Sequence, residues 1–166
     1  MSIPQKIQAS VAVAQSQRYM GELLVRDLPR LAEALADDSG SLQVEIVATR
    51  VSRRAAMVGN IQGQVNLQCQ RCDQPYAFSL KTAVDLRLVS SDEEEKQLLK
   101  DCEPYWVHDD KLQLHEMIED ETLLALPMLP RCNSCENSVH AAPPKSERDE
   151  HSDRENPFTA LKKLKF

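Results

Sequence analysis

Residues 57–69, MVGNIQGQVNLQC, and residues 76–89, YAFSLKTAVDLRLV, decide the fold. In the first, Ile61, Gly63, Val65, Leu67 and Cys69 alternate with Gln62, Gln64, Asn66 and Gln68, so one side of an extended chain is apolar and the other carries carboxamides. In the second, Tyr76, Phe78, Leu80, Val84, Leu86 and Leu88 keep one phase. The joining segment CQRCDQP (69–75) suits an antiparallel hairpin of two long strands. Val58-Gly59-Asn60 reads as a turn or bulge that precedes the alternation.

Upstream, LQVEIVATRV places Leu42, Val44, Ile46 and Ala48 on one face of a half-buried strand over 42–50. With the hairpin it makes at least a three-stranded meander, whose apolar face needs helices or a second sheet as cover. Residues 17–25 suggest a short strand or turn. RDLPRLAEALADD then predicts a helix with Asp27 as N-cap, Pro29 in its first turn and Ser39-Gly40 past its end. Downstream, Ser91-Asp92 caps a short acidic helix, Tyr105–His108 is extended, and Asp109-Asp110 turns the chain. A helix from about Leu114 to Leu126 stops at Pro127. Leu114, Met117, Ile118, Leu124 and Ala125 form its apolar stripe, with Glu116, Glu119 and Asp120 on the wet face. The expected class is α+β, an antiparallel meander or hairpin sheet packed with a few helices. Residues 1–135 form its single domain. Residues 136–155 lack large apolar side chains and contain Pro143-Pro144, which predicts a flexible, disordered linker. It leads to a short terminal helix over 156–166, capped by Asn156 with Pro157 in the first helical position.

The 166 residues suit one domain. No apolar run approaches the 18 or so residues of a membrane span, and the opening residues lack a signal-peptide pattern, so a cytoplasmic protein with no membrane partner is expected. The net charge of −6 would disfavour a polyanion as partner if it were spread evenly. It is not: residues 1–91 carry ten basic and eight acidic side chains, residues 92–121 three and twelve, and residues 122–166 seven and six. The acidity belongs to one thirty-residue segment, and the rest is free to be locally basic.

Five cysteines are present, four of them in two C-x-x-C pairs, Cys69/Cys72 and Cys132/Cys135, with Cys102 left over. In a reducing compartment such pairs are unliganded thiols, metal ligands or a redox dithiol. Two knuckles together supply the four sulfurs of a closed zinc site, which would staple the hairpin tip to the chain after Pro130 and leave no open position for a substrate. A redox role lacks the βαβ setting of thioredoxin-like proteins. His115-Glu116 resembles half of a metalloprotease helix, but the second histidine is replaced by Glu119. No Gly-rich phosphate loop, G-x-S-x-G or Ser/His/Asp grouping is found. Arg50, Arg53 and Arg54 stand at a strand end and Arg71 lies inside the first knuckle, where planar guanidinium forks are placed to meet phosphates. Lys81 and Arg87 follow on the returning strand.

The hairpin sequence LQCQRCDQPY, the later IEDETLLALPMLP followed by cysteines, and the terminal NPFTALKKLKF together resemble the bacterial YceD family of large ribosomal RNA subunit accumulation proteins. The resemblance covers most of the chain. It implies a small, non-enzymatic cytoplasmic protein involved in synthesis, processing or stability of 23S ribosomal RNA. Cys69 and Cys72 match the family's hairpin pair, and Cys132 and Cys135 a second cluster that varies among relatives. Glu119, Asp120 and Glu121 with Leu124, Leu126 and Pro127 match its acidic-to-apolar segment, and Asn156, Pro157 and Phe158 its terminal motif. The resulting expectation is a ribosome-biogenesis factor that binds ribosomal RNA or its precursor through Arg50, Arg53, Arg54 and Arg71, with a structural zinc on the cysteines. The alternatives are an adaptor or chaperone that docks a basic large-subunit ribosomal protein on segment 92–121, and a thiol redox protein.

Overall fold

The computed structural model describes residues 3–98 and 102–135. In chain order its elements are β1 (Lys6–Gln8), α1 (Ala9–Ala14), β2 (Arg18–Leu24), α2 (Pro29–Ala34), β3 (Ser41–Val51), β4 (Arg54–Gln68), β5 (Pro75–Val89), α3 (Asp92–Leu98), β6 (Glu103–Trp106), β7 (Lys111–Gln113) and α4 (Leu114–Leu124). The α+β class is as expected. Two compact units divide the chain, Met1–Cys132 and Asn133–Phe166, and every element just named belongs to the first. The linker expected over 136–155, the terminal helix and the motif Asn156-Pro157-Phe158 lie outside the described residues.

Strands β2 to β5 form an antiparallel meander, and β6 adds in parallel beside β5, giving the order β2-β3-β4-β5-β6. The β4–β5 ladder runs from Ala56↔Arg87 to Gln68↔Pro75, and β3 pairs with the first part of β4 from Val51↔Arg54 to Ser41↔Gln64. The phase read from the sequence decides which face is covered. Leu42, Val44, Ile46, Ile61, Val65, Leu80, Val84 and Leu86 are buried, and they share one core with Ala12 and Val13 of α1, Leu31 of α2, and Leu114, Met117 and Ile118 of α4. Burying each of the larger aliphatic side chains contributes about 1.5–3 kcal/mol, so this shared face dominates the stability. The layer opposite the sheet also holds a two-stranded piece, β1 paired with β7, for which the sequence patterns gave no cue.

Four local expectations are corrected. Val58-Gly59-Asn60 is neither turn nor bulge, since these residues pair in register with Val47, Ile46 and Glu45. Gly59 is there because the strands approach closely: a Cβ would stand 2.0 Å from the Glu45 carbonyl oxygen and 2.7 Å from the Ile46 Cα. The turn falls earlier, at Ser52 (φ 51°) and Arg53 (φ 68°), both in the left-handed region that two-residue hairpins require and that Asn-Gly usually signals.

Asp27 does not cap α2; it ends a 3₁₀ turn over Val25–Asp27. The cap comes from α4. Glu119 accepts hydrogen bonds from the Leu31 backbone N–H and from Arg30 Nε, both at 3.0 Å, while Asp120 pairs with Arg30 Nη1 at 2.8 Å. Glu119 is therefore 3% exposed and not on a wet face. Nor does Leu124 belong to the buried stripe, being 72% exposed. The stripe keeps its 3.6-residue period through Leu114, Met117, Ile118, Glu121 and Thr122, and Thr122 satisfies its hydroxyl by donating to the Ile118 carbonyl at 2.6 Å.

Replacing Glu119 by alanine removes the side-chain acceptor that the first turn of α2 has among the described residues, and the expected loss is about 1–3 kcal/mol in urea unfolding. Glu119→Gln keeps an acceptor oxygen and should lose less; equal losses would contradict the capping role.

Candidate functional site

At the far end of β4 the chain turns through the first C-x-x-C. The Cys69 N–H donates to the Gln74 carbonyl at 3.0 Å, and the Asp73 N–H to the Cys69 carbonyl at 2.9 Å. Asp73 takes φ 59°, the left-handed position often filled by glycine after a knuckle's second cysteine. The Gln68 side-chain amide holds it by donating to Asp73 Oδ1 at 2.7 Å.

Pro130 and Cys132 are laid against this knuckle. The Gln70 N–H donates to the Pro130 carbonyl at 2.9 Å, and the Cys132 N–H points to Cys69 Sγ at 3.3 Å. The Sγ atoms of Cys72 and Cys132 are 3.6 Å apart, and with Cys69 and Cys135 the four sulfurs all lie within 4.8 Å of one another. A zinc ion with sulfur ligands at about 2.3 Å stands in a tetrahedron whose edges are about 3.8 Å, so the set has the size of a four-thiolate site. Cys69, Cys132 and Cys135 are buried and Cys72 half-buried.

The backbone N–H of Cys132, followed by those of Cys72 and Arg71, stabilises the Cys69 thiolate against the opposing effect of burial and brings its pKa down to about 5. That polarity suits a metal ligand, which must be deprotonated to bind. Cys102 is not part of the group.

The arginines do not form one surface. Arg50, Arg53 and Arg54 gather at the β3–β4 turn, where they border a groove with Ser10, Val13 and Ser90. Glu94 and Asp110 line it too, but both are occupied by hydrogen bonds, from the Ser90 N–H at 2.9 Å and the Ser10 N–H at 2.7 Å. Arg54 donates to Gln97 at 3.3 Å. Arg50 and Arg53 are exposed and make no ion pair among the described residues.

Arg71 lies beyond the opposite end of β4. At about 3.3 Å per residue the fifteen residues of β4 separate the two places by roughly 45 Å. On the returning strand, Arg87 is buried and pairs with Asp85, which removes it from any surface role.

Within the acidic-to-apolar segment, Glu119 and Asp120 are structural, as described. Glu121 is buried, and burial, then Glu103 and Asp120, push its carboxyl pKa up. Pro127 follows the end of α4. Sequence reading missed Arg131, which the second knuckle brings to the first; the signal was the repeated Arg-Cys dipeptide at 71–72 and 131–132. It also missed the stacking of Trp106 on His108, ring centroids 6.0 Å apart.

In metal-free protein the ultraviolet thiolate absorbance belonging to Cys69, identified by its loss in Cys69→Ser, is expected to disappear as pH falls through about 5. Disappearance near 9.0, the ordinary cysteine value, would contradict the hydrogen-bond geometry.

The family model described as large ribosomal RNA subunit accumulation protein YceD matches residues 57–165, from β4 through both knuckles and beyond. The large ribosomal RNA subunit accumulation protein YceD of Haemophilus influenzae (strain ATCC 51907 / DSM 11121 / KW20 / Rd) is 30% identical over 151 residues, covering 89% of this chain and 87% of its own length. No solved structure matches the chain significantly. With the hairpin, its cysteine pair and the segment that closes on it inside the matched span, the chain belongs to the YceD family of large ribosomal RNA subunit accumulation proteins.

Proposed function

We propose that this protein sustains accumulation of 23S ribosomal RNA in the cytoplasm by binding that RNA or its precursor directly, with no chemical step of its own. The observation that carries the reading is the β3–β4 turn, where Arg50 and Arg53 are exposed, lack ion pairs among the described residues, and stand beside the groove described above. Guanidinium groups outside any ion pair, carried on a two-residue turn, present planar donor forks to phosphate oxygens. Among the described residues no helix is long and apolar enough to cross a membrane.

The competing adaptor reading, with a basic ribosomal protein on the acidic segment, is less well supported. Glu94 receives the Ser90 N–H, Glu95 receives Trp106 Nε1 at 3.0 Å, Asp110 receives Ser10, and Glu119 and Asp120 hold Arg30. Five of the segment's twelve acidic side chains thus already have partners inside the chain, two of them in ion pairs with Arg30. The four cysteines hold a structural zinc in this proposal. A four-thiolate ligand set is closed, so the ion supplies cross-linking between two distant stretches of chain and no substrate position. The same arrangement disfavours dithiol exchange, because each thiolate is committed to the ion.

Deletion of the gene is expected to lower 23S relative to 16S ribosomal RNA. Complementation with Arg50→Ala/Arg53→Ala should fail although the variant unfolds at the wild-type urea midpoint, and its RNA affinity should fall by about tenfold or more. Full complementation by that variant, or retention of a basic ribosomal protein without RNA, would overturn the binding proposal. For the metal, purified protein should hold close to one zinc per chain, and Cys69→Ser should lose it together with a few kcal/mol of stability. A metal-free protein of unchanged stability would remove zinc from the account.

A further inference from the structure

The second knuckle places a basic residue where the sequence offered only one. Arg71 is flanked by Gln70 and Cys72, and Arg131 by Pro130 and Cys132. Both flanking pairs touch, through the Gln70 N–H to Pro130 carbonyl hydrogen bond at 2.9 Å and the 3.6 Å approach of Cys72 Sγ to Cys132 Sγ. Two stretches of chain that lie side by side at these points carry Arg71 and Arg131 at matching positions.

Both residues are exposed, and neither side chain has a carboxylate partner among the described residues. The backbone on both sides of Arg131 is held as well, the Pro130 carbonyl by the Gln70 N–H at 2.9 Å and the Cys132 N–H by Cys69 Sγ at 3.3 Å. The knuckle end therefore repeats what the β3–β4 turn shows, two unpaired guanidinium groups on constrained backbone, and it does so roughly 45 Å away along β4.

We infer that the protein is a two-ended RNA clamp: Arg71 and Arg131 form a second phosphodiester-binding site, and the rigid β4–β5 ladder sets the distance between the backbone segments that the two ends hold. This inference rests on the RNA-binding reading above and extends it to a site on the other end of the molecule. Two weak contacts joined by a stiff spacer act as one strong contact only on an RNA that reaches both. The second binding event is then intramolecular, and the gain can reach 10²- to 10⁴-fold without any new contact. Each arginine released from a phosphate should also reduce the salt dependence, by about 0.7 in the log–log slope for single-stranded RNA.

The test uses the full-length protein and two polyuridylates. One has about six nucleotides, too few to reach from one end of the ladder to the other; the other has about forty. Wild type is expected to bind the long RNA at least about 100-fold more tightly than the short one. Arg71→Ala/Arg131→Ala should lose most of that length-dependent gain, lower the salt slope on the long RNA by about 1.4, and leave binding of the short RNA within about threefold, because the β3–β4 turn still binds it. Arg50→Ala/Arg53→Ala should lose the same gain.

Equal urea midpoints and equal metal content across the variants keep the comparison free of folding effects. If Arg71→Ala/Arg131→Ala binds the long RNA as wild type does while Arg50→Ala/Arg53→Ala does not, the second site is wrong and the RNA reading stands. If wild type retains neither RNA, both fall.

Discussion

The β4–β5 backbone ladder is the constraint on which the other features depend. Its thirteen consecutive pairs, from Ala56↔Arg87 to Gln68↔Pro75, hold a long two-stranded ribbon, and β3 stiffens one half of it. The inward side of that ribbon supplies Ile61, Val65, Leu80 and Val84 to the core. Its two ends carry the chemistry. At one end the Ser52-Arg53 turn presents arginines, and at the other the hairpin closes through a cysteine knuckle. A one-residue slip of register would turn the apolar set outward, so the burial that stabilises the sheet also fixes where each end points.

The knuckle end shows how a long-range contact replaces what a local sequence lacks. Without a glycine after Cys72, the turn uses Asp73 in the left-handed region and secures it with Gln68. The segment that closes on it arrives from beyond α4, bringing Cys132 against Cys69. Three backbone N–H groups directed at one sulfur make Cys69 an acid of pKa about 5, a thiolate at neutral pH before any metal is considered. A similar substitution of distant for local operates at α2, whose first turn is capped by Glu119 of α4. The IEDE sequence at 118–121 is thus partly a fold element, since Glu119 and Asp120 tie α4 to α2.

The sheet was largely legible because period-two alternation is local: 42–50, the second hairpin strand and the end of the first lie close to the observed bounds, whereas the first begins at Arg54, seven residues before Ile61. What escaped was set by partners far along the chain. Gly59 looked like a turn residue because its reason, the Glu45 carbonyl on the neighbouring strand, cannot be seen locally. Asp27 looked like a cap because the true acceptor lies 88 residues away. Strands β1 and β7 are three residues each, too short for any periodicity to register. Of the site, the four cysteines were legible as a set from their doubled spacing. The arginines were legible as residues and not as a surface, since only the ladder's length reveals that Arg71 stands far from Arg50 and Arg53, and only the closed knuckle reveals its neighbour Arg131.

Ultraviolet crosslinking in living cells, with the bound RNA sequenced and the crosslinked peptides identified by mass spectrometry, tests direct RNA contact most squarely. Direct binding at both ends gives 23S or precursor sequences joined to peptides that contain the 50–54 turn and the 71 and 131 knuckles. Crosslinks confined to the acidic segment 92–121, or RNA drawn equally from 16S and 23S, would contradict it.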